Sequence, residues 1–122
     1  MSLVARHLEA NGIPTLIIGA ARDIVEHCGV ARFLFVDFPL GSPCGEPGNV
    51  AMQRQIVAMG LDLLEQATAP RTTWQAPLAW PHGEAWKATV FTAEQPFLSE
   101  NQVANWEARK QRYRDQKATA EA

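Results

Sequence analysis

Between residues 38 and 49 the chain reads Phe-Pro-Leu-Gly-Ser-Pro-Cys-Gly-Glu-Pro-Gly-Asn, and no other stretch restricts its fold as strongly. Three of the eight prolines and three of the eight glycines fall within it. A proline ring fixes φ and a glycine opens positive φ, so most of this backbone is either restrained or specially permitted, and one shape is preferred. A strongly apolar strand pattern precedes it and a long helical pattern follows it. The segment therefore ends at a helix N-terminus, where unpaired amide N–H groups and the positive end of the dipole favour an anion or a thiolate. A functional site is expected here.

The flanking pattern is that of a small α/β domain. Leu3, Val4, His7 and Leu8 recur at helical spacing before Asn11-Gly12, an αL stop. A chain opening in a helix reads in two ways: the helix caps one face of a sheet, or the polypeptide is a fragment or shortened relative of something that supplied a preceding strand. Ile13 to Gly19 is apolar on both faces, as a parallel strand covered by helices requires, with Pro14 tolerated only at its start. Ala20 to Cys28 follows with Ile24, Val25 and Cys28 on one helical face and Gly29 as the stop, and Ala31 to Asp37 gives a second strand. These segments predict a βαβ unit, which is right-handed in nearly all proteins, with the loops after Gly19 and Asp37 at the same carboxyl edge.

Val50 to Thr68 predicts a long helix with two adjacent apolar stripes, Val57-Leu61-Leu64 and Met52-Ile56-Met59-Leu63, a wider arc than one sheet face needs. Residues 70–98 hold Trp74, Trp80 and Trp86 and read as a loop-rich wrap over apolar surface, with Ala88 to Thr92 as its one short strand. Ser99 with Gln102 forms a capping box and Leu98 with Val103 a hydrophobic staple, predicting a last helix from Glu100 to Lys117 and a disordered Ala118 to Ala122. The expected architecture is a small three-layer α/β sandwich with a parallel βαβ core, Rossmann-like, over residues 1–98, with a C-terminal helix and tail over 99–122. So small a sheet has edges to cover or pair. A homodimer is expected, through a sheet edge, the broad face of the long helix or the Trp-rich segment.

Eleven basic against thirteen acidic residues give a net charge of −2, and no basic stretch is interleaved with aromatics, which argues against a nucleic-acid partner. The longest nearly apolar run, Ile13 to Ala21, is far short of the roughly 18–20 residues that span a bilayer, and the chain reads as a cytoplasmic protein with no membrane partner. The predicted topology puts Cys28 and Cys44 at opposite ends of a strand, roughly 20 Å apart at about 3.3 Å per residue. A disulfide tolerates about 7 Å or less between Cα atoms, so free thiols are expected, with Cys28 in the core.

Cys44 is the candidate nucleophile, a thiol at a helix N-terminus inside a Gly-Pro cage. The competing reading is a small side chain filling a gap, since the only charged neighbour in sequence is Glu46, which disfavours a thiolate. Arg22, in the first turn of the crossover helix, shares the carboxyl edge with this loop. With Gly41, Gly45, Gly48, Asn49 and Arg54 it makes a candidate pocket for a carboxylate or phosphate; the alternative is a solvated arginine. Glu46 and Asp37 are candidate acids or bases, or simply backbone hydrogen-bond acceptors. Gly19-Ala20-Ala21 lacks dinucleotide-binding spacing, and His7, His27 and His82 are far apart with no Cys or carboxylate at ligand spacing, so neither a cofactor nor a metal is expected.

The run His7-Leu8-Glu9-Ala10-Asn11-Gly12-Ile13-Pro14-Thr15, then Gly29-Val30-Ala31-Arg32, then Phe38 to Asn49, resembles the C-terminal part of the selenoprotein B family, the substrate-specific components of glycine, sarcosine, betaine and D-proline reductases. The likeness runs to about residue 65 and is most specific in the Pro-Gly loop; the tail from Pro70 has no counterpart. The resemblance implies a reductive cleavage in which a selenocysteine or cysteine attacks the substrate carbon and displaces an amine. The family's reactive residue lies upstream of the matched part, in a selenocysteine-x-x-cysteine-like motif that this chain lacks, so that role is not carried onto Cys44. What the resemblance implies is an oxidoreductase-related subunit that takes a small carboxylated amine, or a second redox or selenoprotein subunit, at the loop. A different class of answer is a non-catalytic, dimerising α/β interaction module.

Overall fold

The apolar run before the Pro-Gly loop becomes the central strand of the molecule. In the computed structural model, which describes residues 1–90 and 100–120, this strand is β2, Arg32–Phe35. It is flanked on one side by β1, Ile17–Gly19, and on the other by β3, Thr72–Gln75, both parallel to it. One register runs through all three, with Ile18 opposite Leu34 and Leu34 opposite Trp74. The sheet is thus α/β and parallel as expected.

Alternation along β2 distributes the core between two faces. Phe33 and Phe35 point to the face covered by α2, Arg22–Cys28, where Val25, Val30 and Ile17 join them. Leu34 points to the other face, where it packs with Ile56 and Leu63 of α3, Val50–Gln66, together with Val36, Phe38 and Ala76. Gly60 lets α3 lie directly on β1, since a Cβ there would stand 2.8 Å from the Leu16 side chain and 3.2 Å from that of Ile18. The chain steps across the sheet in one direction, β1 to β2 to β3, while α2 and α3 occupy opposite faces. The two crossovers therefore have opposite hands, and one of them departs from the right-handed expectation.

The first helix, α1, covers Ser2–Ala10, and Gly12 rather than Asn11 supplies the positive φ (79°) that ends it. Its anchor is Glu9, whose Oε1 accepts from the backbone and hydroxyl of Thr15 and from Arg32 Nη1 of β2 at 2.8 Å. Gly29 ends α2 in the left-handed conformation, as its position predicts.

Several expectations give way. The third strand is Thr72–Gln75, not Ala88 to Thr92: Lys87–Val90 is a single helical turn, α4, and residues 91–92 lie outside the described part. The last helix, α5, covers Glu100–Ala120 and so includes Ala118 to Ala120, which were expected to be disordered. Ser99 of the capping box and Leu98 of the staple lie outside the described residues. Cys28 is half-buried instead of fully in the core, and Ile24 is exposed. Trp74 and Trp80 pack against the α3-side core, as the reading of an aromatic cover requires. The chain divides into two compact units, Met1–Trp86 and Lys87–Ala122.

Candidate functional site

The Pro-Gly loop is a series of three tight turns. Ser42 N–H donates to Pro39 O (3.0 Å), Gly45 N–H to Ser42 O (3.1 Å) and Asn49 N–H to Glu46 O (3.1 Å). Gly41 and Gly48, each third in its turn, have φ of 97° and 82°, the conformation that glycine reaches without steric cost, and Pro43 and Pro47 sit second in theirs, where a fixed φ is preorganised. Gly45 has φ of 104°, and a Cβ on it would stand 3.2 Å from the Met52 side chain. The sequence thus dictates the loop residue by residue.

The loop is fastened to the helix after it. Asn49 caps α3, its Oδ1 accepting from Met52 N–H at 3.1 Å, and Gln53 Nε2 donates back to Glu46 O at 3.0 Å. Asn49 and Gly45 therefore hold the loop's shape with the groups that the anion reading assigned to a ligand. Cys44 is third in the middle turn and exposed, while both cysteines are free, as expected.

A second attachment comes from the wrap. Phe38 is buried and meets Trp80 edge-on, with ring centroids 5.1 Å apart, and Trp80 in turn meets His82 at 5.8 Å. His82 Nε2 then donates to Glu46 Oε1 at 2.7 Å. The two residues stand 36 positions apart, so the contact is not one that ligand spacing in the sequence could signal. The His82 hydrogen bond, supported by that of Asn49, holds the Glu46 carboxyl below the usual carboxylate range. The arrangement sets an ionised Glu46 with its His82 partner two residues along the loop from an exposed thiol.

Arg22 opens α2 at the same carboxyl edge. Its Nε donates to Glu26 Oε1 at 3.1 Å, and its guanidinium lies 5.8 Å from the centre of the Phe35 ring. Arg54 is on α3, the helix covering the opposite face, and lines a groove with Val50, Gln53, Val57, Ala58 and Leu61. The structure thus gives Arg22 and the loop one edge of the sheet and turns Arg54 toward an apolar surface. Among the described residues no cluster of three His, Cys, Asp or Glu side chains fits a metal ion.

The chains leaving β1 and β2 part to opposite faces of the sheet, through Ala20-Ala21 to α2 and through the Pro-Gly loop to α3. In open α/β sheets, such a parting at the carboxyl ends of neighbouring strands opens a crevice where ligands bind. Arg22 follows β1 at this edge, and Cys44 and Glu46 lie in the loop that follows β2.

No family model and no solved structure matches the chain. Over 62 residues it is 39% identical to the D-proline reductase subunit gamma of Acetoanaerobium sticklandii, a match covering 51% of this chain and 26% of that relative. The chain thus matches about a quarter of the relative's length. The similarity supports a relationship to proline and glycine reductase-type proteins and does not single out selenoprotein B.

Proposed function

We propose that this chain is a cytoplasmic, reductase-related component that resembles the substrate-specific subunits of amino-acid and betaine reductases, and that it holds a small carboxylated amine at the carboxyl edge beside loop 38–49. The similarity to a D-proline reductase subunit is the observation that carries the reading. The parted chains at the ends of β1 and β2 support it, and the helices on both faces of the sheet support a small three-layer, Rossmann-like core. Arg22 is the group that meets the substrate carboxylate, by exchanging its Glu26 contact, which is exposed and weakly held, for a bidentate one. The selenol or thiol that attacks the substrate carbon comes from a second redox subunit, which docks on the loop; Cys44 at the loop's tip faces that exchange.

A titration of the isotope-labelled chain with D-proline, glycine, sarcosine and betaine, followed by amide resonances, tests this. Saturable shifts at Gly41, Gly45, Gly48 and Asn49 that vanish in Arg22→Ala are expected. Unmoved loop resonances with all four compounds, alongside a stable complex with a second polypeptide, would instead establish the alternative, a non-catalytic α/β module that pairs with another copy or chain. That alternative has its own observation, the uncovered apolar row on α3.

A further inference from the structure

One side of α3 is largely apolar and exposed among the described residues. Val50, Val57 and Leu61 are 53, 45 and 56% exposed, although the helix already buries Ile56, Gly60 and Leu63 on its sheet side. With Arg54 and the half-buried Leu64, they follow one another at alternating steps of four and three residues. That alternation is the seam of two helices lying side by side. A shallow groove of about 330 Å³ follows the row, with Arg54 and Gln53 on its polar margin.

The charges on α3 say which helix fits. Arg54 is near its start and Asp62 and Glu65 are near its end, all three exposed, and its first turn has no acidic residue and its last no basic one. This order opposes the preference set by the helix dipole, which favours acidic residues at the start and basic ones at the end. Among the described residues none of the three takes part in an ion pair. A second α3 laid parallel would bring two Arg54 side chains together within the seam. Laid antiparallel, it sets Arg54 opposite the turn bearing Asp62 and Glu65, twice by the two-fold symmetry, packs Val57 against the partner's Leu61 and opposes the two dipoles.

We propose that the Val50–Leu64 face of α3 is a self-association surface, taken by α3 of a second copy in antiparallel orientation, with Arg54 paired to the partner's Asp62 and Glu65. The inference concerns a face of α3 apart from the loop, and it stands or falls separately from amine binding there.

Sedimentation equilibrium of the full chain over a wide concentration range tests it. The mass is expected to rise from 13.5 kDa toward twice that value. Leu61→Asp and, independently, Arg54→Glu should hold it at the monomer value with unchanged circular dichroism, and adding Asp62→Arg and Glu65→Arg to Arg54→Glu should restore the dimer. A mass fixed at 13.5 kDa throughout overturns the proposal. So does a dimer indifferent to Leu61→Asp and Arg54→Glu, in which case a second copy is present but pairs elsewhere. A failure of the charge reversal to restore association overturns the antiparallel pairing and points to another occupant, such as α5 of the same or another copy.

Discussion

His82 shows how a single residue changes the reading of the loop. It stands 36 positions from Glu46 in the chain, yet its imidazole reaches Glu46 Oε1. Nothing in residue spacing signals this contact, because it is made by tertiary packing of Trp80 on Phe38. The local signal was limited to Trp80-Pro81-His82-Gly83, a turn closed by Gly83 N–H on Trp80 O. Glu46 has its pKa lowered in the fold by His82 first and Asn49 second. A depressed carboxylate contributes stability that is present above its unfolded pKa and lost as pH falls through the folded value. In His82→Ala the Glu46 carboxyl, followed by carbon NMR, should therefore titrate at higher pH than in the wild type, toward its ordinary range. An unchanged midpoint would show that the His82 contact is not formed in solution.

At the scale of elements, legibility follows how local the determinants are. That the Pro-Gly loop takes one preferred shape could be read in advance, because Pro39, Gly41, Pro43, Gly45, Pro47 and Gly48 each act on their own backbone, whereas its division into three turns comes from the structure. The β2 strand and α3 were equally plain from their apolar periodicity. β3 was not: Thr72-Thr73-Trp74-Gln75 lies between Pro70 and Pro77 with no apolar alternation, and it becomes a strand because β2 offers it a partner edge. The face chosen by each helix is likewise fixed by packing alone. The tie between α1 and β2 is another contact that sequence spacing conceals. Burial opposes ionisation of Glu9, but the hydrogen bonds from Thr15 and the charge of Arg32 outweigh it and lower its pKa. Both partners of this ion pair are less than a third exposed. Arg32→Ala should destabilise the fold by about 1–3 kcal/mol at neutral pH, the scale of a lost charged hydrogen bond. The cost shows as a shifted urea midpoint with an unchanged slope. Because the Glu9 contribution fades as pH falls through its folded pKa, the difference between wild type and variant should shrink in acid.

Across the Met1–Trp86 unit, the candidate site comes down to one edge of one sheet. β1 and β2 end side by side, their chains part to opposite faces, and the parting brings Arg22 to the same edge as the loop that displays Cys44. None of the described helices is long and apolar enough to cross a membrane. The most direct test uses the exposed thiol as a reporter for that edge. The rate of Cys44 alkylation is measured in the presence of increasing D-proline, glycine, sarcosine or betaine, with Cys44→Ser giving the contribution of half-buried Cys28. A saturable fall in the Cys44 rate with at least one of these compounds, abolished by Arg22→Ala, is the predicted result. A rate that none of them changes would contradict the assignment of loop 38–49 as a site for a small carboxylated amine.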